Sequence, residues 1–233
     1  MIGGMTDASE AAPARRALLV HAHPEERSFS SAQADAVLEQ LRADGMEVRR
    51  LDLYAEGRDP VLHRDQFAPG SGYFKPQAQQ MTAVLEKTLG EPVTSDLDEL
   101  MQADLLVLSF PLWWFSMPAI MKGWIDRVFV MGATFGGEHG VFAEGGLRGR
   151  SAMLLLTTGG GEAAFAPGAA DGYGDLQSFL FHIHRGMLEF VGYDVLPPVV
   201  TYGPARLDAA GREDALQRAR AQASASTARL RGA

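Results

Sequence analysis

The sequence predicts an α/β protein built on a parallel β-sheet with helices packed on both of its faces. Five short apolar runs are spaced along the chain, and segments with helical periodicity lie between them. Most of these runs stay apolar at consecutive positions, which is typical of strands buried on both faces of a parallel sheet. The 233 residues are 46% hydrophobic and 21% charged, which is the composition of one globular domain.

The first half of the domain alternates strand and helix. The run ALLVH at 17–21 predicts the first strand, and MEVRRLDL at 46–53 predicts the second. Between them an apolar stripe at i, i+3, i+4 and i+7 predicts a helix, which Ser28 or Ser30 caps and Gly45 ends. The stripe consists of Ala34, Val37, Leu38 and Leu41.

A long excursion is expected over about residues 55–100, because its first part is irregular and rich in glycine, proline and glutamine. A helix is predicted there over 77–89. Another helix is predicted to begin near Ser95, where Ser95 and Asp98 have the spacing of a capping box.

The second half repeats the alternation. LLVLSF at 105–110 predicts the third strand and AMLLLT at 152–157 the fourth, with a helix between them that has Pro118 in its first position. A helix over 175–190 and a last strand over 193–201 follow. An Arg- and Ala-rich helix that faces solvent closes the chain. Five such strands fit the flavodoxin-like, doubly wound order, in which ligands bind at the carboxyl ends of the strands.

Composition excludes several classes of protein. Without cysteine there is no disulfide framework, thiolate nucleophile or cysteine-bound metal. With 21 basic against 29 acidic residues, a net charge of −8 and a pI near 5.2, affinity for nucleic acid or an anionic membrane is not expected. Prolines divide the longest uncharged run, so no membrane insertion is expected. Residues 1–14 lack the features of a signal peptide, so we expect a disordered tail, a single domain over 15–233 and a cytoplasmic protein.

Three loops that follow predicted strands are candidate ligand segments. The first loop, HPEERSFS at 23–30, enters a helix N-terminus that suits a phosphate or pyrophosphate, although a plain helix cap is the alternative. The second loop, PLWWFSMP at 111–118, suits a planar ring, and a hydrophobic plug or a subunit interface is the alternative. The third loop, TTGGG at 157–161, permits close backbone approach, a common feature by itself. The three loops together favour one ligand site.

A zinc-dependent hydrolase is a competing hypothesis. His21, His23 and the two glutamates that follow are possible metal ligands, and the start of the first loop is similar to that of zinc-dependent deacetylases. Those enzymes also need a later H-x-x-H pair, whereas His182 and His184 would point apart on a helix. We therefore expect no metal site and a structural role for the later pair. Walker A and G-x-S-x-G sequences are absent.

The chain resembles the NAD(P)H:quinone oxidoreductase family over about residues 16–202. The most specific stretch is PLWWFSMPAIMKGWIDRVF at 111–129, and the Ala22-His23 start, the TTGG turn at 157–160 and residues 192–197 also match. The resemblance implies FAD as cofactor, with FMN less favoured, and NADH or NADPH as co-substrate. It also implies a homodimer with active sites at the subunit interface.

The resemblance assigns site residues position by position. It implies cofactor contacts from His23, Arg27, Ser28, Phe29, Ser30, Pro111, Leu112, Trp113, Trp114, Phe115, Thr157, Thr158, Gly159 and Gly160. It implies substrate contacts from Trp114, Phe115, Phe135, Phe165 and Phe190.

The implied chemistry is ping-pong: NAD(P)H passes hydride to flavin N5 and leaves, and a quinone then accepts hydride in the same place. Gly159 and Gly160 are expected to donate backbone hydrogen bonds to the negative charge of the reduced ring. Mammalian relatives use a tyrosine and a histidine there, and the matching positions are Phe165, which has no donor, and Tyr173. An ancillary regulatory flavoprotein of a potassium-efflux channel is the alternative, although such relatives usually lack the 55–100 excursion.

Overall fold

A parallel sheet forms the centre of the computed structural model, which describes residues 14–68, 72–168 and 171–232. Its strands are β1 (Arg16–His21), β2 (Glu47–Asp52), β3 (Leu105–Pro111), β4 (Ser151–Thr158), β5 (Asp194–Val195) and β6 (Val199–Tyr202). The order is β2-β1-β3-β4-β5, and β6 pairs with β4 beyond β5. The predicted flavodoxin-like, doubly wound order is therefore confirmed. The predicted tail, up to residue 13, lies outside the described residues.

Helices cover both faces of the sheet. They are α1 (Phe29–Ala43), α2 (Pro76–Glu86), α3 (Val93–Gln102), α4 (Ala119–Val128), α5 (Leu176–Ile183) and α6 (Ala209–Gly232). Side chains of α1 and α6 form one core with Leu105 and Val107 of β3, whereas α3, α4 and α5 form the other with Leu106 and Leu108. This division follows from the alternation of side chains along a strand. In the part of the chain that the structure describes, no helix has the length and apolar character that a membrane crossing needs.

The predicted last strand is two strands. β5 pairs with β4 at Ser151 and Ala152, and β6 pairs with the residues of β4 from Leu155 onward. Pro197 and Pro198 lie between the two segments. Because proline has no backbone N–H, it cannot donate to a strand ladder, and the pairing is interrupted there.

The prediction that the C-terminal helix faces solvent is wrong for one of its faces. Ala215, Ala219 and Ala223 recur every fourth residue of α6 and are fully buried against the sheet and α1. Alanine contributes little to an amphipathic pattern, so the arginine-rich sequence of α6 hides this buried face.

Three helix boundaries also differ from the predictions. α3 begins at Val93, with Pro92 in the N-cap position, so Ser95 lies in its first turn and donates its hydroxyl to the Pro92 carbonyl instead of forming a capping box. Pro118 occupies the N-cap position of α4 and not its first helical position. The helix predicted over 175–190 changes at Ile183 into a single π-helical turn over His184–Leu188.

A buried carboxylate, Asp96 of α3, connects Arg58 at the start of the excursion to Trp124 of α4. Asp96 accepts hydrogen bonds from Arg58 Nε at 3.1 Å, from Arg58 Nη2 at 2.7 Å and from Trp124 Nε1 at 3.0 Å. Burial raises the pKa of Asp96, and its bonds to Arg58 and Trp124 oppose that change. Gly123 allows the Pro60 backbone to approach α4, because a Cβ at this position would overlap the Pro60 carbonyl.

Candidate cofactor-binding site

The three predicted loops meet in one cavity of about 420 Å³ at the carboxyl ends of β1, β3 and β4. Predicted cofactor contacts line most of it, namely His23, Arg27, Ser28, Phe29, Ser30, Pro111, Leu112, Trp113, Thr157, Thr158 and Gly159. Trp114, Phe115 and Gly160 are predicted contacts that lie outside this lining. The position of the cavity agrees with the rule that ligands of open α/β sheets bind beyond the carboxyl ends of the strands.

The first loop leads into the N-terminus of α1. Ser28 is the N-cap residue, and its Oγ accepts a hydrogen bond from the Ser31 amide at 3.1 Å. Helix geometry leaves the Phe29 and Ser30 amides without an intrahelical acceptor. These amides and the helix dipole therefore favour an anion at this end of the cavity.

Two arginines add positive charge to the same cavity. The Arg27 side chain is 92% exposed, and its Nε lies 3.5 Å from Glu25 Oε1. Arg212, in the first turn of α6, makes no ion pair with any described residue. An exposed guanidinium without a carboxylate partner is available to bind a phosphate.

Thr157, near the carboxyl end of β4, makes hydrogen bonds that connect the three loops. Its Oγ1 lies 2.6 Å from Ser30 Oγ of the first loop, and its carbonyl accepts a 2.8 Å hydrogen bond from the Leu112 amide of the second loop. The next residue, Thr158, accepts from the Gly203 amide at 2.9 Å. Hydrogen bonds between neighbouring strand ends thus fix the relative positions of the cavity walls.

The second loop has an unusual backbone. Trp114 and Phe115 have φ angles of +50° and +59°, a left-handed conformation that is uncommon for residues other than glycine. The turn places Trp113 in the cavity wall, 6.0 Å from the His23 ring, and leaves Trp114 94% exposed. Phe115 points elsewhere, since its ring stacks on Phe179 with a centroid distance of 4.5 Å.

An aromatic cluster lies beside the third loop. The Tyr173 ring contacts those of Phe115 and Phe165, and its Cε2 lies 2.5 Å from where a Cβ on Gly160 would be. Phe165 is buried, whereas Tyr173 is 50% exposed and its hydroxyl bonds to no described residue. The Gly159 and Gly160 amides likewise donate no hydrogen bond within the described ranges. The three predicted catalytic positions, Tyr173, Gly159 and Gly160, are therefore adjacent, and their donors bond to none of the described residues.

Two predicted substrate contacts lie elsewhere. Phe135 and Phe190, with ring centroids 5.5 Å apart, line a second cavity of about 420 Å³ between α2, α4 and the π-helical turn. Within one chain the structure does not bring them together with the cavity that the three loops form.

The residues of the metal hypothesis are engaged in other contacts. His21 is fully buried between two serine hydroxyls, and burial lowers its pKa to about 4. His23 Nδ1 accepts a 3.0 Å hydrogen bond from the Glu25 amide. His182 Nε2 lies 3.1 Å from Ser116 Oγ, and burial lowers the pKa of His184. Across the described ranges no cluster of three or more His, Cys, Asp and Glu side chains is suited to a metal ion, so the zinc hypothesis is not supported.

Sequence reasoning missed three residues of the cavity wall: Pro204, Ala205 and Arg212. They follow β6, whose carboxyl end lies at the same sheet edge as those of the other strands. The pattern of predicted strands indicates ligand segments only in the loops after the first, third and fourth strands. The Gly-Pro pair at 203–204 directly after a strand is the signal that identifies this fourth segment.

Comparisons with known proteins agree with this architecture. A family model described as flavodoxin-like fold matches residues 15–226. NAD(P)H dehydrogenase [quinone] 1 of Cavia porcellus is 36% identical over 192 residues, which cover 81% of this chain and 69% of that protein. Ribosyldihydronicotinamide dehydrogenase [quinone] of Rattus norvegicus is 33% identical over 193 residues, 82% of each chain.

A solved structure extends the similarity to three dimensions. The crystal structure of a protein assigned as a quinone reductase from Klebsiella pneumoniae matches with a TM-score of 0.83 and 36% identity, over 90% of this chain and 83% of that one. Matches of this extent in sequence and in fold show a common family. The chain therefore belongs to the NAD(P)H:quinone oxidoreductase family of flavodoxin-like fold and is an oxidoreductase.

Proposed function

We propose that this oxidoreductase binds FAD in the cavity between the three loops and uses NADH or NADPH to reduce quinones or related acceptors. The observation that carries the proposal is the composition of the cavity wall. A helix N-terminus and two arginines form one part of the wall, and aromatic, glycine and threonine residues form the rest. In this proposal the first part is the charged end of the site and the second part is its ring end. A ligand with a charged diphosphate and a flat ring system matches this division. The names of the relatives, which are quinone dehydrogenases, support the same activity.

The charged end favours FAD over FMN. In this proposal the α1 N-terminus and the Ser28 and Ser30 hydroxyls bind one phosphate, and Arg212 approaches the second from α6. Two guanidinium groups match two phosphates better than they match one. Arg212→Ala is therefore expected to weaken FAD binding much more than FMN binding.

The ring end supplies contacts for an isoalloxazine. In this proposal Leu112 and Trp113 pack against the ring, and the Gly159 and Gly160 amides, which donate to none of the described residues, donate hydrogen bonds to its polar edge. A flavin held there would supply the two-electron redox chemistry of a ping-pong reaction between NADH or NADPH and the acceptor. The protein's own contribution is to orient the ring and to stabilise its negative charge.

In this proposal Tyr173 also helps to stabilise the negative charge of the reduced ring. Its ring packs on Gly160 and its hydroxyl bonds to no described residue, so it can donate to charge that develops near the glycine turn. Phe165, in the same cluster, has no donor, so it cannot stabilise this charge. One hydroxyl, and not two donor side chains, therefore assists the backbone amides.

A homodimer completes the substrate side of the site. Trp114 is almost fully exposed, and the cavity with Phe135 and Phe190 is separate from the cofactor cavity in one chain. We propose that a second chain brings its Phe135 and Phe190 over the ring bound by the first chain. Trp114, Phe115 and Phe165 would then complete the substrate contacts. The excursion that ancillary proteins of potassium-efflux channels usually lack forms α2 and α3 here, which favours the enzyme over that role.

The first test is the absorption spectrum of the purified protein, with chromatographic identification of the flavin released on denaturation. Stoichiometric FAD, and oxidation of NADH or NADPH that depends on a benzoquinone, are the expected results. A protein that stays colourless after incubation with FAD and FMN would refute the proposal.

Mixed dimers test the shared site. An Arg212→Ala, Ser28→Glu chain lacks the cofactor end, and a Phe135→Ala, Phe190→Ala chain lacks the opposite side. If the site spans two chains, refolding a mixture of the two inactive variants restores part of the activity. No recovery, with dimers present by light scattering, would confine the site to one chain.

A further inference from the structure

A buried chain of hydrogen bonds lies beneath the first loop and starts at His21, the last residue of β1. The ring is fully buried, with Nδ1 3.0 Å from Ser109 Oγ and Nε2 3.1 Å from Ser31 Oγ. Ser109 belongs to β3, and Ser31 belongs to the first turn of α1. The ring therefore connects two central strands with the helix that begins at the cofactor cavity.

The other contacts of Ser31 determine where the protons lie. The Ser31 hydroxyl donates to the Glu25 carbonyl at 3.1 Å, and its oxygen lies 2.9 Å from Ser28 Oγ. Because the single hydroxyl proton of Ser31 is used for Glu25, His21 Nε2 must donate to Ser31. Nδ1 is then the acceptor for the Ser109 hydroxyl. A neutral ring protonated on Nε2 satisfies every bond of the chain.

The series of hydrogen bonds that starts at His21 ends on the backbone of the first loop, at the Glu25 carbonyl. Glu25 is held from both sides, since its carbonyl accepts from Ser31 and its amide donates to His23 Nδ1 at 3.0 Å. Ser28, the N-cap residue that lines the cavity, is held by the same Ser31 hydroxyl. The conformation of the anion-binding loop thus depends on a side chain that does not itself line the cavity.

We propose that His21 is a positioning residue, which holds the Glu25 carbonyl and Ser28 through Ser31 in the conformation that binds the cofactor diphosphate. The identity of that ligand rests on the proposed function, whereas the positioning rests on the hydrogen bonds alone. An apolar side chain would fill the same buried space but would leave Ser31 and Ser109 without their partner.

Among the described residues no unpaired carboxylate faces the His21 ring, so its surroundings favour the neutral form. Burial lowers the pKa of His21 to about 4, against the smaller opposing effects of Asp52 on β2 and Asp35 on α1, while Arg50 and His23 add to the lowering. Both carboxylates already bond to Arg50. A second ring proton would have to point at the Ser109 hydroxyl, which could no longer donate to Nδ1.

Hydrogen–deuterium exchange at pH 7 tests the positioning without any flavin. His21→Leu and Ser31→Ala are each expected to speed exchange in residues 22–31 by about tenfold, as the loss of one buried hydrogen bond implies. His21→Gln keeps a donor toward Ser31 and is expected to stay near the wild-type rate. Exchange in α3 reports whether a variant is folded. If 22–31 exchanges at the wild-type rate in both His21→Leu and Ser31→Ala, the positioning role is refuted.

FAD titration across pH supplies the second readout. The dissociation constant of the wild type relative to His21→Gln is expected to double at about pH 4, where half of the wild-type rings carry a second proton. A ratio that stays constant with pH would overturn the link between His21 and the cofactor. If the wild type binds neither FAD nor FMN, the proposed function fails, and the exchange rates alone decide the positioning role.

Discussion

The hydroxyl oxygens of Ser30 and Thr157 lie 2.6 Å apart, and this hydrogen bond joins the first turn of α1 to the end of β4. Both residues line the cofactor cavity, and both side chains are buried. The bond therefore fixes the distance between the wall that attracts an anion and the wall that faces a ring. In our proposal that distance determines whether one dinucleotide can reach both.

Ser30→Ala is expected to weaken FAD binding by about tenfold, because it removes the Ser30–Thr157 hydrogen bond and leaves the buried Thr157 hydroxyl without this partner. Fluorescence titration of the flavin-free protein measures the effect. Ser226→Ala is a matched control, since Ser226 is also buried but its hydroxyl donates to the Gln222 carbonyl within α6. Equal affinity of the two variants would contradict the role of Ser30.

Tyr173→Phe is expected to slow flavin reduction by about tenfold, because one donor to the developing charge is lost while the ring still packs on Gly160. Stopped-flow absorbance at saturating NADH or NADPH measures this step. Phe165→Tyr, which adds a hydroxyl to the same cluster, is expected to raise the rate. A wild-type rate in Tyr173→Phe would exclude a catalytic role for this hydroxyl.

Much of the fold was predictable because its central strands are buried on both faces. β3 and β4 are mostly apolar along their length, and every one of their residues is buried. Once the strand order is inferred, the loops after β1, β3 and β4 must share one sheet edge. The grouping of Ser28, Trp113 and Gly159 around one cavity follows from that topology.

Other features depend on packing that leaves little trace in a single sequence. The buried face of α6 consists of alanines, which are weakly hydrophobic, among arginines. Arg212 reaches the cavity only because α6 begins close to the end of β6. Phe115 has a left-handed backbone and its ring stacks on Phe179, a contact that the sequence does not indicate. Such outcomes are set by contacts between elements distant in the sequence.

Asp96→Ala is expected to lower the free energy of unfolding by about 3 kcal/mol, because it leaves Arg58 and Trp124 buried without their shared acceptor. This loss of stability is at the lower end of the range that is usual for breaking a buried ion pair, because Arg58 keeps an ion pair with Glu56 at 3.1 Å. Urea denaturation followed by circular dichroism measures it. Asp96→Asn, which retains an oxygen acceptor, should lose less. An unchanged midpoint in Asp96→Ala would show that this carboxylate does not fasten the excursion.

His21 is expected to make stability depend on pH in a window set by its two pKa values. In the unfolded chain a histidine takes up its proton near pH 6.5, whereas burial lowers the pKa of His21 in the folded protein to about 4. As the pH falls below 6.5 the unfolded state binds the proton first, so stability is complete above this value and declines down to about pH 4. The full decline from this one group is about 3 kcal/mol.

Comparison with His21→Gln isolates this contribution, because glutamine does not titrate and the carboxylates that titrate below about pH 5 are common to both proteins. Urea denaturation at pH 7, 6, 5 and 4.5 gives the free energy of unfolding of each. The wild type should lose stability relative to His21→Gln progressively over this range, with most of the difference already present at pH 5. Parallel curves would mean that the buried ring takes up its proton as readily in the folded protein as in the unfolded chain, and the neutral ring that Ser31 and Ser109 require would then not be maintained by the fold.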